Sequence, residues 1–340
     1  MVIPHSGGVT LTAPRQLLQS TGSPGARILG FGGFRPATAV GSAEIAERFG
    51  RTGDWVRERT GIVSRRFATT ETRESMAVAA AMRALERSEV DAAGVDLVVV
   101  ASCSADSPLV GVAAGVAAGI GANGAAGYDL NAACAGFCYA LAVAASAIRA
   151  GSARRVLVVG TEKMTDLVDE ADLGTSIIFG DGAGAAVVAA SDDPDIGPVA
   201  WGSDGSQSEL IDVPEGASTL RMQGQAVFRW ATNNIHPVAL RACELAGVDP
   251  RRLDAIVPHQ ANLRIVEALA RKIDAPDAVI ARDVVDAGNT SAASIPLALD
   301  RLLAEGEVKP GGLALLIGFG AGLAYAAQVV RIPDSLPLEA

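Results

Sequence analysis

The sequence is poor in aromatic residues and cysteine, and each shortage excludes a class of protein. Aromatic residues make up 4% of the 340 residues, too few to build stacking platforms for single-stranded nucleic acid. The net charge of −10 points the same way, so we expect no nucleic-acid partner. The four cysteines contain no CxxC pair and are too sparse to staple so long a chain, which predicts a reducing, cytoplasmic location.

Several binding motifs are also missing. The three histidines are far apart and lack ligand spacing, so we expect no metal site. No GxxxxGK[ST] occurs, and Leu323 stands where a GxGxxG motif starting at Gly318 needs its last glycine, so no nucleotide cofactor is implied. The N-terminus lacks the pattern of a secretory signal. The one membrane-like stretch, residues 110–127, is mostly Ala and Gly and is interpreted as a buried helix and loop.

The chain is abundant instead in alanine and glycine, and it repeats itself. The pattern around Asp91 recurs 158 residues later around Asp249, and residues 133–141 align with residues 291–299 at the same offset. Residues 156–160 align with residues 314–318, again without a gap. Three matches at one offset indicate an internal duplication.

Each copy of the repeat predicts alternating helices and buried strands. The strand candidates, such as residues 97–100 and 313–317, are unbroken apolar runs, which are typical of strands covered on both faces. The sequence therefore predicts an α/β protein with two equivalent sheets in a layered α/β/α/β/α arrangement. We predict a flexible tail over residues 1–25, a first half over 26–195 and a second half over 196–340.

Cys134 lies in the sequence NAACAGF, among small residues and before an apolar helical stretch. This pattern resembles the strand-to-helix turn that presents a nucleophile in hydrolases. A helix N-terminus carries about +0.5 charge, which favours the thiolate over the thiol. The alternative is a small core residue, because free cysteine is often buried.

Two short polar segments of the second copy contain candidate catalytic partners for this cysteine. His259 follows a predicted strand end in PHQAN, and Asn289 opens the helix that the repeat places opposite the Cys134 helix. A neutral imidazole and an amide can both donate to one oxygen and stabilise an enolate or oxyanion, while a thiolate can hold an acyl group. Separately, Asn289 could be a helix cap and His259 a structural residue.

Two glycine-rich windows remain. Residues 318–322, GFGAG, end the last predicted strand, and this turn could offer a backbone N–H beside that of Cys134 as an oxyanion hole; it could equally be a tight structural turn. Residues 179–185, FGDGAGA, fail the dinucleotide pattern and are interpreted as a packed structural turn.

Together these motifs resemble β-ketoacyl-acyl carrier protein synthase III, of the thiolase superfamily, from about residue 28 to residue 332. That resemblance implies a thiolase-like fold and a decarboxylative Claisen condensation that initiates fatty acid or polyketide synthesis. Cys134 would attack an acyl-CoA or other acyl thioester primer, and His259 and Asn289 would stabilise the enolate of malonyl-acyl carrier protein as carbon dioxide leaves. The N–H groups of Cys134 and Ala321 would form the oxyanion hole.

The resemblance also assigns binding roles and a homodimer, with no metal or redox cofactor. It implies that Arg264 docks the carrier protein; Arg251, Arg252, Arg271 and Lys272 could join it or be a solvated helix face. Leu109 would shape the acyl pocket. Leu173 replaces an arginine common in the family. The residues implied in CoA binding are Trp55, Arg59, Gly224 and Gln225, the last in place of asparagine.

Two other functions stay open. A related acyltransferase could use Cys134 to pass an acyl group to another acceptor without forming a carbon–carbon bond. A non-catalytic partner subunit is the third alternative, and the intact cysteine, histidine and asparagine count against it.

Overall fold

The computed structural model describes residues 19–104 and 109–334. Most of the predicted tail lies outside these residues. In its described part, the Ser20 hydroxyl donates to the Ala150 carbonyl and the Ser23 N–H to that of Ile148. Within the described residues, no helix is both long and apolar enough to span a bilayer.

The strands, in chain order, are β1 (Gly25–Phe34), β2 (Thr38–Gly41), β3 (Ser64–Phe67), β4 (Leu97–Ala101), β5 (Ala126–Leu130), β6 (Arg155–Lys163), β7 (Asp181–Ser191), β8 (Ala200–Ser203), β9 (Ile211–Asp212), β10 (Arg221–Met222), β11 (Ala255–Pro258), β12 (Val279–Ile280), β13 (Leu313–Phe319) and β14 (Ala324–Arg331). The helices are α1 (Ser42–Glu47), α2 (Gly53–Thr60), α3 (Arg73–Arg87), α4 (Ala113–Gly119), α5 (Gly136–Arg149), α6 (Leu173–Ser176), α7 (Gly224–Ala246), α8 (Leu263–Ile273), α9 (Val284–Ala287) and α10 (Ser294–Ala304).

Two five-stranded sheets with the same topology form the framework. The first has the order β1-β7-β6-β4-β5, and the second has the order β8-β14-β13-β11-β12. In each sheet three strands are parallel, and the remaining two pair antiparallel at one side. The predicted boundary at residue 195 falls between β7 of the first sheet and β8 of the second.

The inner strands of both sheets bury both of their faces, as their unbroken apolar runs predict, whereas the edge strand β5 is largely exposed. In β4, Val99 faces α5 and α10 between the two sheets, whereas Val98 and Val100 face α3 and α4 on the outside. The second sheet packs on α5 and α10 with one face and on α7 and α8 with the other. The layered α/β/α/β/α fold is thereby confirmed.

The offset of 158 residues relates equivalent structural elements of the two halves. It relates the start of β4 to that of β11, the start of β6 to that of β13, and the start of α5 to that of α10. It also relates two single turns of 3₁₀-helix, Ala133–Ala135 and Ser291–Ala293. Ala133 and Ser291, the first residues of these turns, both adopt left-handed backbone conformations, with φ of 46° and 47°.

The packed turn predicted over residues 179–185 is wrong, because Asp181 begins the buried strand β7. Its small residues serve close packing: a side chain at Gly184 would come within 2.8 Å of Pro296 in α10. The strand therefore carries glycine so that the central helix layer can lie directly on it.

In addition to the apolar packing between the sheets, ion pairs connect the two halves. Asp300 in α10 pairs with Arg87 of α3 and lies 3.7 Å from the Arg35 guanidinium. Arg35 also pairs with Asp283 at 2.9 Å. Both carboxylates are buried, so each is compensated by an arginine of the other half.

Candidate active site

One cavity of about 850 Å³ lies at the junction of the two halves. Cys134 reaches it from the first half, and His259 and Asn289 reach it from the second. The structure thus brings together the three residues that the sequence singles out, although they are far apart along the chain. The fold explains this meeting, because the starts of α5 and α10 face each other across the pseudo-symmetric centre.

Cys134 is held by the turn between β5 and α5. The Asn131 side chain accepts a hydrogen bond from the Ala133 N–H at 3.0 Å, and Ala133 then takes its left-handed conformation. Small residues are required behind the cysteine, since a side chain at Gly136 would come within 3.0 Å of Ala101. The predicted strand-to-helix turn is therefore present, and it directs the thiol into the cavity.

The surroundings of the Cys134 thiol oppose its ionisation. Burial raises its pKa to about 12, and the nearby Glu162 carboxylate adds to the increase. A hydrogen bond with the Ser291 side chain acts in the opposite direction. Desolvation thus opposes the effect expected of the helix N-terminus and favours the thiol over the thiolate.

A buried polar cluster beside the nucleophile is absent from the sequence-based predictions. Glu162 accepts hydrogen bonds from Ser104 Oγ at 2.6 Å and from Ser291 Oγ at 3.0 Å. The Cys103 thiol also lines the cavity and lies 3.3 Å from both Glu162 Oε1 and Ser291 Oγ. Burial raises the pKa of this second thiol well above its usual value. The only signal in the sequence is a charged residue that follows the apolar run of β6.

His259 follows β11 and is almost fully buried. Its Nδ1 lies 2.7 Å from the Ser294 hydroxyl, and its ring meets the Phe319 ring edge-on at 5.3 Å between centroids. Burial lowers the pKa of His259 to about 3. The imidazole is therefore neutral near pH 7 and can donate only one N–H.

Asn289 presents its amide nitrogen to the cavity because its oxygen is already engaged. The side-chain Oδ1 accepts a hydrogen bond from the Ser291 N–H at 2.8 Å. The main chain is fixed as well, since the Asn289 N–H donates to Ile178 and its carbonyl accepts from Gly180. The side-chain oxygen is thus occupied by the backbone of Ser291, and the NH₂ group remains available for a ligand.

The glycine-rich segment 318–322 (GFGAG), at the end of β13, contributes Phe319, Gly320 and Ala321 to the cavity wall. A Cβ atom at Gly320 would lie 2.8 Å from the Cys134 nitrogen, and Ala321 lines the cavity beside it. The turn therefore lies against the backbone of Cys134, where the proposed oxyanion hole requires it. The left-handed conformation of Gly322, with φ of 66°, lets the chain turn there into β14.

The cavity mouth carries the remaining predicted residues, with one exception. Trp55 lies beneath the Arg59 guanidinium at 4.0 Å, and Arg264 lies over Phe228 at 5.3 Å. Gly224 and Gln225 also line the cavity. Leu109 does not line it in the single chain and is 89% exposed.

Two of the other basic residues near Arg264 are engaged elsewhere. The Arg251 guanidinium pairs with Asp274 at 2.9 Å. The Lys272 amine donates to the Thr232 carbonyl. Of the basic residues in the suggested patch, Arg264 alone lines the cavity, and these contacts fit the alternative of a solvated helix face.

The assembled groups suit acyl transfer followed by stabilisation of an anion. A thiol from one half faces two neutral donors from the other half, and backbone N–H groups lie beside the sulfur. The arrangement can hold a thioester and can also stabilise negative charge on a second carbonyl oxygen.

Comparisons with known proteins agree with this geometry. The family model for 3-oxoacyl-[acyl-carrier-protein (ACP)] synthase III matches residues 128–205, and the model for its C-terminal part matches residues 243–332. The chain is 49% identical to β-ketoacyl-[acyl-carrier-protein] synthase III of Streptomyces lividans, covering 91% of this chain and 95% of that protein. It is 45% identical to the mycobacterial synthase III of Mycobacterium avium, covering 94% and 99%. It also superimposes on the priming β-ketosynthase of the R1128 polyketide pathway with a TM-score of 0.90 and 46% identity, covering 95% and 100%.

Proposed function

The chain belongs to the β-ketoacyl-acyl carrier protein synthase III family, and we propose that it condenses an acyl primer with malonyl-acyl carrier protein. The reaction begins fatty acid or polyketide synthesis and releases carbon dioxide. The observation that carries this proposal is the meeting of the Cys134 thiol with two neutral hydrogen-bond donors, His259 and Asn289, in one cavity.

In the first half-reaction, the Cys134 sulfur attacks the carbonyl carbon of an acyl thioester. The backbone N–H groups of Cys134 and Ala321 stabilise the oxyanion of the tetrahedral intermediate. The intermediate collapses to an acyl-Cys134 thioester, and the leaving thiol, CoA in the simplest case, departs with the proton that Cys134 gives up. Burial favours this uncharged form of the enzyme, because a free thiolate would be poorly solvated there.

In the second half-reaction, malonyl-acyl carrier protein loses carbon dioxide and forms an enolate. The His259 N–H and the Asn289 amide donate to the enolate oxygen, and the carbanion attacks the acyl-Cys134 carbon. As the new carbon–carbon bond forms, the bond between the acyl carbon and the Cys134 sulfur breaks, the β-ketoacyl carrier product leaves, and the thiolate takes up a proton from water. Neutral donors suit this step, because they stabilise the charge without protonating the carbanion. No metal or redox cofactor is needed for this chemistry.

The cavity mouth fits a phosphopantetheine-bearing donor. Arg59 and Arg264 are cations at the entrance of a cavity that is apolar further in, so they can bind a phosphate while the thioester reaches Cys134. We assign carrier-protein docking to Arg264 and CoA binding to Trp55, Arg59, Gly224 and Gln225.

A homodimer and a cytoplasmic location complete the proposal. Strand β5 lies at the edge of the first sheet, and Leu109 and Val110 near it are 89% and 65% exposed. A second copy could cover these apolar side chains and bring Leu109 to an acyl pocket. The four cysteines are all free thiols, which suits a reducing compartment.

The decisive experiment is intact-mass spectrometry after incubation with a panel of acyl-CoA and acyl-carrier donors, followed by malonyl-carrier protein. We expect an acyl adduct first, then carbon dioxide and a β-ketoacyl carrier product. Cys134→Ala should carry no adduct, whereas Cys243→Ala, which removes a buried thiol outside the cavity, should still be acylated.

The alternatives give different results in the same experiment. An adduct that passes to another acceptor without carbon dioxide release would favour a simple acyltransferase. The absence of any adduct on the wild-type protein would favour a non-catalytic subunit. An adduct that persists in Cys134→Ala would overturn the assignment of the nucleophile.

A further inference from the structure

We propose that Ser294 is a positioning residue that holds His259 in the tautomer with its hydrogen on Nε2. The assignment of the tautomer rests on hydrogen bonding alone. Its consequence for catalysis rests on the proposed function, because there the Nε2–H donates to the enolate.

The hydrogen bonds around the Ser294 hydroxyl determine its direction. The Ser294 oxygen accepts from the Gln260 N–H at 3.3 Å and lies 2.7 Å from His259 Nδ1. If the hydroxyl donates to Nδ1, the Ser294 hydroxyl and His259 Nδ1 are both fully paired, and the imidazole hydrogen must be on Nε2, which faces the cavity. In the opposite arrangement, Nδ1–H would donate to the serine oxygen, and the hydroxyl hydrogen would have no acceptor in the described part of the chain.

The surroundings of the His259 ring keep it neutral and fix its position. His259 is nearly fully buried, and its pKa is lowered to about 3, so the doubly protonated form does not compete near pH 7. Its backbone N–H donates to Ile317 at 2.7 Å, and Phe319 packs edge-on against the ring. The ring is therefore held in place from two sides, and the serine has only to select which nitrogen carries the hydrogen.

The internal duplication shows that the fold itself does not need this hydroxyl. At the offset of 158 residues, Ser294 corresponds to Gly136 and His259 corresponds to Ala101. Helix α5 begins at Gly136 without any side chain, and Gly136 packs closely on Ala101. A helix start at this place in the fold thus forms without serine, and the hydroxyl occurs in the copy that carries the histidine.

The tautomer determines whether His259 presents a hydrogen-bond donor or an acceptor to the cavity. With the hydrogen on Nε2, the ring presents a donor beside the NH₂ group of Asn289. With the hydrogen on Nδ1, it would present a lone pair, which repels an enolate oxygen. A single hydroxyl therefore controls whether the site has two donors or one.

Nitrogen-15 NMR of histidine-labelled protein tests the tautomer directly. The chain has three histidines, so the His259 signals are assigned by their loss in His259→Gln. We expect wild-type His259 at pH 7 to be protonated on Nε2 and unprotonated on Nδ1. In Ser294→Ala we expect a mixture of tautomers or the Nδ1–H form. A wild-type His259 protonated on Nδ1, or an unchanged Nε2–H tautomer in Ser294→Ala, would overturn the proposal.

Kinetics of the two half-reactions give the second readout. Ser294→Ala should lower the rate of condensation about 10- to 100-fold, as is typical when a group that orients a functional imidazole is removed. Acylation of Cys134 should be unchanged, which also shows that the variant folds. Ser294→Thr, which keeps the hydroxyl, should restore most of the rate. Ser146→Ala, whose hydroxyl donates to the Ala142 carbonyl within α5, should behave as wild type. Equal loss of both half-reactions would contradict the positioning role. If the wild-type protein does not condense but shows the expected tautomers, the proposed function fails and the role of Ser294 stands.

Discussion

Gly320 lies directly against Cys134 at the centre of the molecule. A Cβ atom at residue 320 would come 2.7 Å from the Cys134 Cβ, 2.8 Å from its nitrogen and 3.1 Å from its sulfur. The backbone φ of Gly320 is extended, so the glycine is required by space and not by conformation. The close approach brings the turn after β13 to the N–H group of the nucleophile and keeps room for an oxyanion.

Gly320→Ala is therefore expected to block acylation. The added methyl group would displace the Cys134 backbone or fill the space of the oxyanion, and removal of one oxyanion-hole donor typically costs about 10²- to 10³-fold in rate. The rate of acyl-Cys134 formation, followed by intact mass, is the measurement.

The matched control is Gly205→Ala in the same half of the chain. A Cβ atom at Gly205 would have no neighbour within 4 Å, so its acylation rate should equal that of the wild-type protein. Full activity of Gly320→Ala would contradict the close approach and the oxyanion hole built on it.

The His259→Ala variant should separate the two half-reactions. His259 belongs to the enolate site and not to the oxyanion hole, so acyl-Cys134 should still form at close to the wild-type rate. Decarboxylation of malonyl-carrier protein should fall by at least about 10²-fold, because one of two donors is lost. Carbon dioxide release and adduct formation are measured in the same sample, and equal loss of both would contradict the assigned role.

Without added substrate, the reactivity of Cys134 should rise steadily with pH. Because burial raises the pKa of this thiol to about 12, the thiolate fraction increases about tenfold for each pH unit below that value. Inactivation by iodoacetamide, measured between pH 7 and 9, should therefore accelerate about tenfold per unit and show no plateau. A plateau near pH 7 would mean that the helix N-terminus activates the thiol after all.

Protonation of His259 should destabilise the folded protein in acid. Its folded pKa of about 3 lies below the unfolded value of about 6.5, so the unfolded chain binds the proton more readily. The full stability is present above about pH 6.5 and is lost as the pH falls towards 3. Between pH 7 and pH 5 this one group should lower the free energy of unfolding by about 2 kcal/mol.

Urea denaturation of the wild-type protein and His259→Gln at both pH values tests this expectation. The loss between pH 7 and pH 5 should be smaller by about 2 kcal/mol in the variant, since it lacks the titrating ring. Parallel losses in the two proteins would show that His259 is not buried as a neutral ring.

The sequence predicts those features of the site that depend on patterns among neighbouring residues. The unbroken runs of β4 and β13, the repeat and the small residues around Cys134 are local patterns, and the structure contains the elements that they predict. The repeat also predicts the meeting of Cys134 with His259 and Asn289, because equal offsets imply equal positions in two packed copies.

The remaining features depend on contacts between distant segments. The Glu162 cluster involves Ser102, Cys103, Ser104 and Ser291, and nothing near Glu162 in the sequence indicates that these side chains meet there. The same holds for the pKa of Cys134, which is set by desolvation after folding. Residues 179–185 mislead because glycine is typical of turns, whereas here it permits close packing of α10 on β7.

The ion pairs between the halves should contribute more to stability than ion pairs at the surface. Asp300 is buried and faces Arg87 and Arg35, which are 23% and 27% exposed in their side chains. Asp300→Asn keeps the shape of the side chain but removes the charge that faces Arg87, and it leaves Arg35 paired with Asp283 alone. We expect a loss of about 2–3 kcal/mol in the free energy of unfolding, below the range for fully buried pairs because water reaches both arginines. Glu244→Gln breaks the exposed pair with Arg241 and should cost less than about 1 kcal/mol. Similar costs for the two variants would mean that the halves are held together by apolar packing of α5 and α10 alone.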